Sequence, residues 1–150
     1  GLQFTSLLYI IPGVLFTYLL SQESSGTSTK SVKKVIISIA IILTVLSMIL
    51  SPIFIPILFP EFTEAVETIQ IMSISVIPSA ITSTYISKYL GRTNSKIVII
   101  GSGSYLIIQI ISLLILGNMY GLTGAATSVV ISSIAHMIYF VIIDRHYRKF

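Results

Sequence analysis

Charged residues are scarce in this chain of 150 residues, because Asp, Glu, Lys and Arg together make up only 9%. Soluble domains carry about 25% charged residues. With so few charges the chain cannot cover a water-exposed surface, which excludes an ordinary soluble fold. Cysteine is absent, which excludes disulfide bonds and metal sites built from thiolates. What is abundant is apolar, at 54% of residues, and this composition indicates a membrane protein.

The longest uncharged stretch runs from Ile97 to Ile143. A run of this length holds two helices of about 20 residues each, and each such helix crosses ~30 Å of hydrocarbon. Gly117, Asn118 and Gly121 interrupt the stretch with residues that favour a turn. The pattern therefore predicts a transmembrane hairpin.

The rest of the chain repeats this unit, so we expect an all-α membrane protein in which residues 1–150 form a single bundle of five transmembrane helices. The predicted spans are about 2–20, 35–59, 67–87, 97–116 and 121–143. Proline lies inside the first span (Pro12) and the third (Pro78), where it frees a carbonyl that neighbouring groups must satisfy. Because Pro52, Pro56 and Pro60 follow one another at the end of the second span, we expect this end to be kinked or frayed.

Small residues recur at steps of three and four, the spacing that lets helix backbones approach closely in lipid. This spacing predicts faces that point at other helices in the second, fourth and fifth spans. The third span is rich in hydroxyl groups, and we expect it to be buried among the others. The predicted faces are Ala40, Thr44, Ser47 and Ser51; Ser102, Tyr105, Gln109 and Ser112; and Gly121, Ala125, Ser128, Ser132, Ala135 and Tyr139.

The nine basic residues fall in three groups that the predicted spans place on one side. By the positive-inside rule this side is cytoplasmic, so we expect the first residue outside and the last residue in the cytoplasm. The groups also suit anionic lipid headgroups or, alternatively, a soluble anionic ligand, whereas nucleic acid is not expected. Glu61, Glu64 and Glu67 lie on the opposite side, where they complement the dipole of a helix that begins at Pro60. The basic groups are Lys30, Lys33 and Lys34; Lys88, Arg92 and Lys96; and Arg145, Arg148 and Lys149.

Apart from tyrosines and Glu67, the first residue of the third span, His136 is the one ionisable side chain within a predicted span. Two interpretations are open: a neutral structural histidine bonded to a serine of the next helix, or a residue that binds protons or substrate. The chain has no HExxH, no phosphate-binding glycine loop and no Ser/His/Asp set. We therefore predict no enzymatic activity, no metal and no cofactor.

Four segments in order resemble the C-terminal part of polysaccharide biosynthesis flippases, which belong to the multidrug/oligosaccharidyl-lipid/polysaccharide exporter superfamily. They are IIPGVLFTYLLSQ, ILFPEFTEAVETIQIM, YLGRTNSKIVII and LLILGNMYGLTGAATSVV. In that family the last segment is a short outer turn with a Gly-x-x-Gly-Ala-Ala entry to the final helix, matched here by Gly121, Gly124, Ala125 and Ala126.

The resemblance implies a plasma-membrane transporter of 12 or 14 helices in two lobes, which moves a lipid-linked oligosaccharide by alternating access. This chain is expected to form most of the second lobe, with the N-terminal lobe, membrane lipids and the glycan as its partners. Tyr9, Pro12 and Thr17 match a helix that faces the central cavity, and with His136 they are the candidate substrate-path residues.

One departure from the family matters, because flippases for pyrophosphate-linked lipids are expected to have basic residues in the cavity. None of the five predicted spans has one, so contact with an anion must come from the other lobe or from Lys30, Lys33 or Lys34. Two alternatives stay open: a cation-coupled multidrug exporter with carboxylates in other helices, and a membrane scaffold subunit of a glycan assembly complex that transports nothing.

Overall fold

The computed structural model describes residues 30–63, 65–91 and 94–147, which are almost entirely helical with no strand among them. The elements are α1 (Lys30–Leu58), a 3₁₀ turn (Pro60–Phe62), α2 (Ala65–Ile74), α3 (Val76–Gly91) and α4 (Ser95–Tyr147). The all-α prediction is confirmed for this part of the chain. The predicted span at 2–20 lies outside the described residues.

Three helical stretches are long and apolar enough to cross a membrane, which confirms the membrane character expected from composition. They are Ser31–Ile57, Ala65–Gly91 and Ser95–His146. At 1.5 Å per residue the last stretch is roughly twice as long as ~30 Å of hydrocarbon requires, so it must fold back.

Helix α1 continues through both of its prolines and ends at Leu58, so the end is not frayed, while the predicted kink stays a prediction. Pro52 has no N–H for the carbonyl of Met48, four residues earlier. Gln70 from α2 supplies the missing donor, because its Nε2 lies 3.0 Å from the Met48 carbonyl oxygen. A neighbouring helix thus compensates for the proline, and α1 continues.

The third predicted span is divided at Ser75 into α2 and α3. Pro78 cannot donate to the carbonyl of Ile74, and α2 ends at that residue. The Ser75 hydroxyl donates to the Met72 carbonyl at 2.6 Å, and the Ser79 N–H donates to the Ser75 carbonyl at 3.1 Å. Hydroxyl and main-chain donors therefore bridge a break that the sequence predicted only as a freed carbonyl.

The acidic segment also differs from the prediction of one helix that begins at Pro60. Glu61 lies in the 3₁₀ turn, and α2 begins separately at Ala65 with Glu67 in its first turn. Only Glu67 therefore has the predicted position at the start of an α-helix, while Glu64 is outside the described residues.

Helix α4 turns back at Gly121, whose φ of 57° and ψ of −129° interrupt the helical geometry. We call residues 95–120 the first arm and residues 122–147 the second arm. The arms run antiparallel, since the Tyr139 hydroxyl of the second arm donates to the Ile97 carbonyl of the first at 3.3 Å. The prediction of a turn in this region is confirmed at Gly121. Gly117 and Asn118 are helical, because one glycine with positive φ is enough to reverse the chain direction.

Buried hydroxyl groups and a small apolar cluster of Ile36, Ala40, Val76 and Ala80 fill the interface between α1 and the α2–α3 pair. All four residues of the predicted α1 face are buried: Ala40, Thr44, Ser47 and Ser51. Thr44 donates to the Ser73 carbonyl at 3.1 Å, and the Ser47 and Ser73 hydroxyl groups lie 2.7 Å apart. The prediction that the third span is buried is confirmed as well, with hydroxyl residues of α3 such as Thr82, Thr84 and Ser87 inside.

The face predicted for the second arm is correct at its centre. Ser128 and Ser132 are completely buried, and Gln109 of the first arm bonds with both of them. Gly121, by contrast, is exposed because it forms the turn. The two arms therefore pack through serines at the middle of the hairpin.

The fold collects the described basic residues at one end of the bundle, which we call the basic end. Helix α1 runs antiparallel to α2–α3, and α4 begins and finishes beside the last turn of α3. The opposite end holds Glu61, Glu67 and the turn at Gly121. At the basic end lie Lys33, Lys34, Lys88, Lys96 and Arg145.

Gly124→Ala should destabilise the hairpin, because a Cβ at this position would overlap the main-chain carbonyl of Leu116. Overpacking of this kind costs about 1–3 kcal/mol. Thermal unfolding in detergent, followed by circular dichroism, measures the effect. Gly103→Ala is the control, since a Cβ there meets nothing within 4 Å, and equal melting temperatures for the two variants would contradict the close approach of the arms.

Ser132→Leu should also lower the melting temperature, because Ser132 is completely buried between the arms and no room exists for a longer side chain. Ser128→Leu should behave in the same way. Ile131→Leu is the matched control, as Ile131 is exposed. If all three variants unfolded at one temperature, the serine interface would not be what holds the arms together.

Candidate functional site

Of the four residues predicted to line a substrate path, Tyr9, Pro12 and Thr17 lie outside the described residues, and His136 lies on the second arm. The His136 ring stacks on Tyr105 of the first arm, with 5.0 Å between ring centroids and 27° between planes. Phe140, one turn further along, lies 5.1 Å away at a tilt of 53°. Two aromatic rings therefore fix the orientation of the imidazole.

A half-open cleft of about 160 Å³ lies beside this ring, where α3 meets both arms of α4. Helix α3 supplies Ser79, Thr82, Ser83 and Ile86, the first arm supplies Tyr105, and the second arm supplies Ser133 and His136. Among the described residues the lining consists of hydroxyl groups, one imidazole and one aliphatic side chain, with no carboxylate, lysine or arginine. The sequence singled out the hydroxyl-rich helix and His136 separately, and the fold places them together.

Two buried polar atoms of the cleft residues have no hydrogen-bond partner among the described residues: Thr82 Oγ1 and His136 Nε2. Thr82 is only 3% exposed, so water from outside does not satisfy it. The neighbouring hydroxyls are already used, as Ser83 donates to the Ala80 carbonyl at 2.8 Å and Ser133 to the Val129 carbonyl at 2.7 Å. The serine bond expected for a structural histidine is therefore not found at His136 Nε2.

Phe140 lies next to His136 on the side of the basic end. Its side chain is completely buried, with the rings of Tyr85 and Tyr89 stacked at 6.4 Å and 6.1 Å and the ring of Tyr139 edge-on at 5.3 Å. These three tyrosines come from α3 and the second arm, so Phe140 joins the two elements directly beyond His136.

A buried ion pair lies one further turn towards the basic end. Lys88 of α3 donates to Asp144 of the second arm, and the Tyr89 hydroxyl lies 3.4 Å from the same carboxylate oxygen. The side chains are 15% and 5% exposed, respectively. The sequence analysis did not single out Asp144 and missed this contact. The available signal was that Asp144 directly follows the long uncharged run, where an acid needs a partner.

No family model, curated protein sequence or solved structure matches this chain. The resemblance to polysaccharide flippases therefore depends on the four segments quoted above.

Asp144→Asn should lower the free energy of unfolding by roughly 2–4 kcal/mol, because it leaves the Lys88 ammonium without its carboxylate in a largely buried position. This loss of stability is smaller than the loss expected at a fully buried ion pair, because Lys88 is partly exposed. The double variant Lys88→Met/Asp144→Leu should recover most of the loss, since it removes both charges. Lys96→Met, at an exposed lysine of the same end, is the control. Additive effects of the single substitutions, measured by denaturant unfolding, would contradict the pair.

Proposed function

We propose that this chain is a membrane-embedded part of a transporter that moves a lipid-linked oligosaccharide precursor across the plasma membrane by alternating access. The observation that carries the proposal is the half-open, hydroxyl-lined cleft beside His136 in a helical bundle whose exposed surface is largely aliphatic. Unsatisfied polar groups are costly inside a bilayer, and their presence at a cavity is typical of a functional path.

The proposed topology has five spans, with the N-terminus outside and the C-terminus in the cytoplasm. The described part supplies four of them: α1, the α2–α3 pair and the two arms of α4, while the first span, at 2–20, is taken from the sequence. The collection of lysines and Arg145 at the basic end supports the orientation, because basic residues are enriched on the cytoplasmic side. The family resemblance adds a second lobe and a total of 12 or 14 helices.

Two surfaces of the bundle suit the two halves of a lipid-linked glycan. Hydroxyl groups in the cleft offer hydrogen bonds to an uncharged sugar. The first arm, in contrast, exposes a long series of aliphatic side chains that suits lipid tails. These side chains are Ile99, Ile100, Leu106, Ile107, Ile110, Ile111, Leu113, Leu114 and Ile115.

The alternatives have less support. A cation-coupled multidrug exporter would need carboxylates in other helices, since among the described residues Asp144 is paired with Lys88 and does not line the cleft. A scaffold subunit has no use for a polar cleft with unsatisfied atoms. We therefore favour the oligosaccharide carrier, with membrane lipids, the glycan and the rest of the transporter as its partners.

Reconstituted full-length protein should carry a lipid-linked oligosaccharide across the bilayer of proteoliposomes, measured as the fraction of glycan that an added glycosidase can reach with time. Ser83→Leu fills the cleft and should lower the initial rate roughly tenfold, the equivalent of 1.4 kcal/mol of disturbed binding. Ser104→Leu, which removes a hydroxyl outside the cleft, should leave the rate unchanged. No translocation by the unaltered protein, or equal rates for the two variants, would refute the proposal.

A further inference from the structure

The cleft has two polar atoms without partners, and both belong to residues that line the same space. Thr82 Oγ1 comes from α3 and His136 Nε2 from the second arm, so they flank the cleft from two elements. A buried polar atom without a hydrogen bond costs free energy, and in folded proteins nearly all such atoms find a protein, water or ligand partner. Two of them at one cleft indicate a ligand that bonds with both.

The charge of the lining selects the class of ligand. Among the described residues that line it, the cleft has neither a cation to hold a phosphate nor a carboxylate to hold an ammonium group. Lys88 and Asp144, which lie beyond Phe140, pair with each other. A charged ligand would lose its hydration without an opposite charge in return, and the cleft therefore suits an uncharged one.

The size and shape of the cleft restrict the class of ligand further. At ~30 Å³ per water molecule, a volume of about 160 Å³ corresponds to roughly five waters, about the space of one six-membered sugar ring. Ile86 and the face of Tyr105 offer apolar contact, while Thr82, Ser133 and His136 offer polar groups. A sugar ring has both characters, with C–H groups on its faces and hydroxyls around its edge.

We propose that this cleft binds a single uncharged sugar unit, which displaces the side chains that cover Thr82 Oγ1 and His136 Nε2 and hydrogen-bonds with both atoms. The proposal rests on the function inferred above and specifies which part of the glycan this lobe recognises. The pyrophosphate of a lipid carrier is bound elsewhere, because nothing in the cleft compensates its charge.

Nuclear magnetic resonance of the full chain tests this assignment. The protein has two histidines, so imidazole ¹⁵N labelling gives few signals, and His136→Gln identifies those of His136. The sample is held in phospholipid nanodiscs, because glucoside and maltoside detergents would themselves compete for the cleft. Methyl β-D-glucopyranoside and methyl N-acetyl-β-D-glucosaminide are the neutral probes, and glucuronate and inorganic pyrophosphate are the charged ones.

The expected result is a saturable shift of the His136 Nε2 signal with at least one neutral glycoside. The signals of His146, which is exposed at the basic end, should not move. Thr82→Val keeps the shape of the side chain and removes its hydroxyl, so the dissociation constant should rise about 2- to 10-fold, the usual effect of one hydrogen bond. Thr127→Val is the matched control, since the Thr127 hydroxyl donates to the Thr123 carbonyl and does not line the cleft.

Two outcomes would overturn the proposal. The first is a His136 signal that no glycoside shifts, which would mean that water alone fills the cleft. The second is a stronger response to pyrophosphate or glucuronate than to the neutral glycosides. Glycoside binding without oligosaccharide translocation would refute the transport function and leave the sugar site in place. Translocation without glycoside binding would refute the sugar site and leave the transport function in place.

Discussion

Hydrogen bonds between small hydroxyl-bearing residues are the interaction on which the rest of this bundle depends. Among the described residues, twelve of the thirteen buried polar side chains are serine or threonine, whereas the exposed surface is rich in isoleucine and leucine. In lipid, burying an aliphatic side chain gains little, so helices associate through close packing and hydrogen bonds. Ser47 and Ser73 join α1 to α2, and Gln109 joins the arms of α4 through Ser128 and Ser132. The cleft lies where hydroxyls from three segments face one another and remain partly unsatisfied.

The same requirement for internal satisfaction explains how prolines divide the chain. Pro52 and Pro78 each remove one main-chain donor from a membrane-length helix, with opposite results. The carbonyl freed by Pro52 accepts from Gln70, and α1 continues to Leu58. Four residues before Pro78 the helix ends, and the Ser75 hydroxyl takes over the Met72 carbonyl. At Pro52 a neighbouring helix supplies the missing donor, whereas the helix that precedes Pro78 ends at Ile74.

Much of the fold could be predicted from the sequence, because spacing and charge act locally. The uncharged run from Ile97 to Ile143 and its glycines predicted a turn that lies at Gly121, and the spacing of Ala40, Thr44, Ser47 and Ser51 predicted a face that is buried. The compensation of Pro52 by Gln70 and the pairing of Lys88 with Asp144 were not predictable, since both depend on contacts between residues far apart in the chain. Half of the candidate site could be predicted, because His136 is an ionisable residue within an apolar span. Thr82 could not be distinguished from the other hydroxyl residues of its span until the packing of the helices was known.

The order of groups along α3 and the second arm bears on how the cleft would open in the proposed transport cycle. From the cleft towards the basic end come His136, then Phe140 among three tyrosines, then the pair of Lys88 and Asp144. The contacts of Phe140 with Tyr85 and Tyr89 and the ion pair of Lys88 and Asp144 join α3 to the second arm, so opening this end requires the two elements to separate. That movement would expose Phe140 and break a buried ion pair, and removing one partner of such a pair is costly. The contacts that shape the cleft are therefore also those that keep its basic end shut, and a transport cycle that releases sugar in this direction must supply the energy to break them.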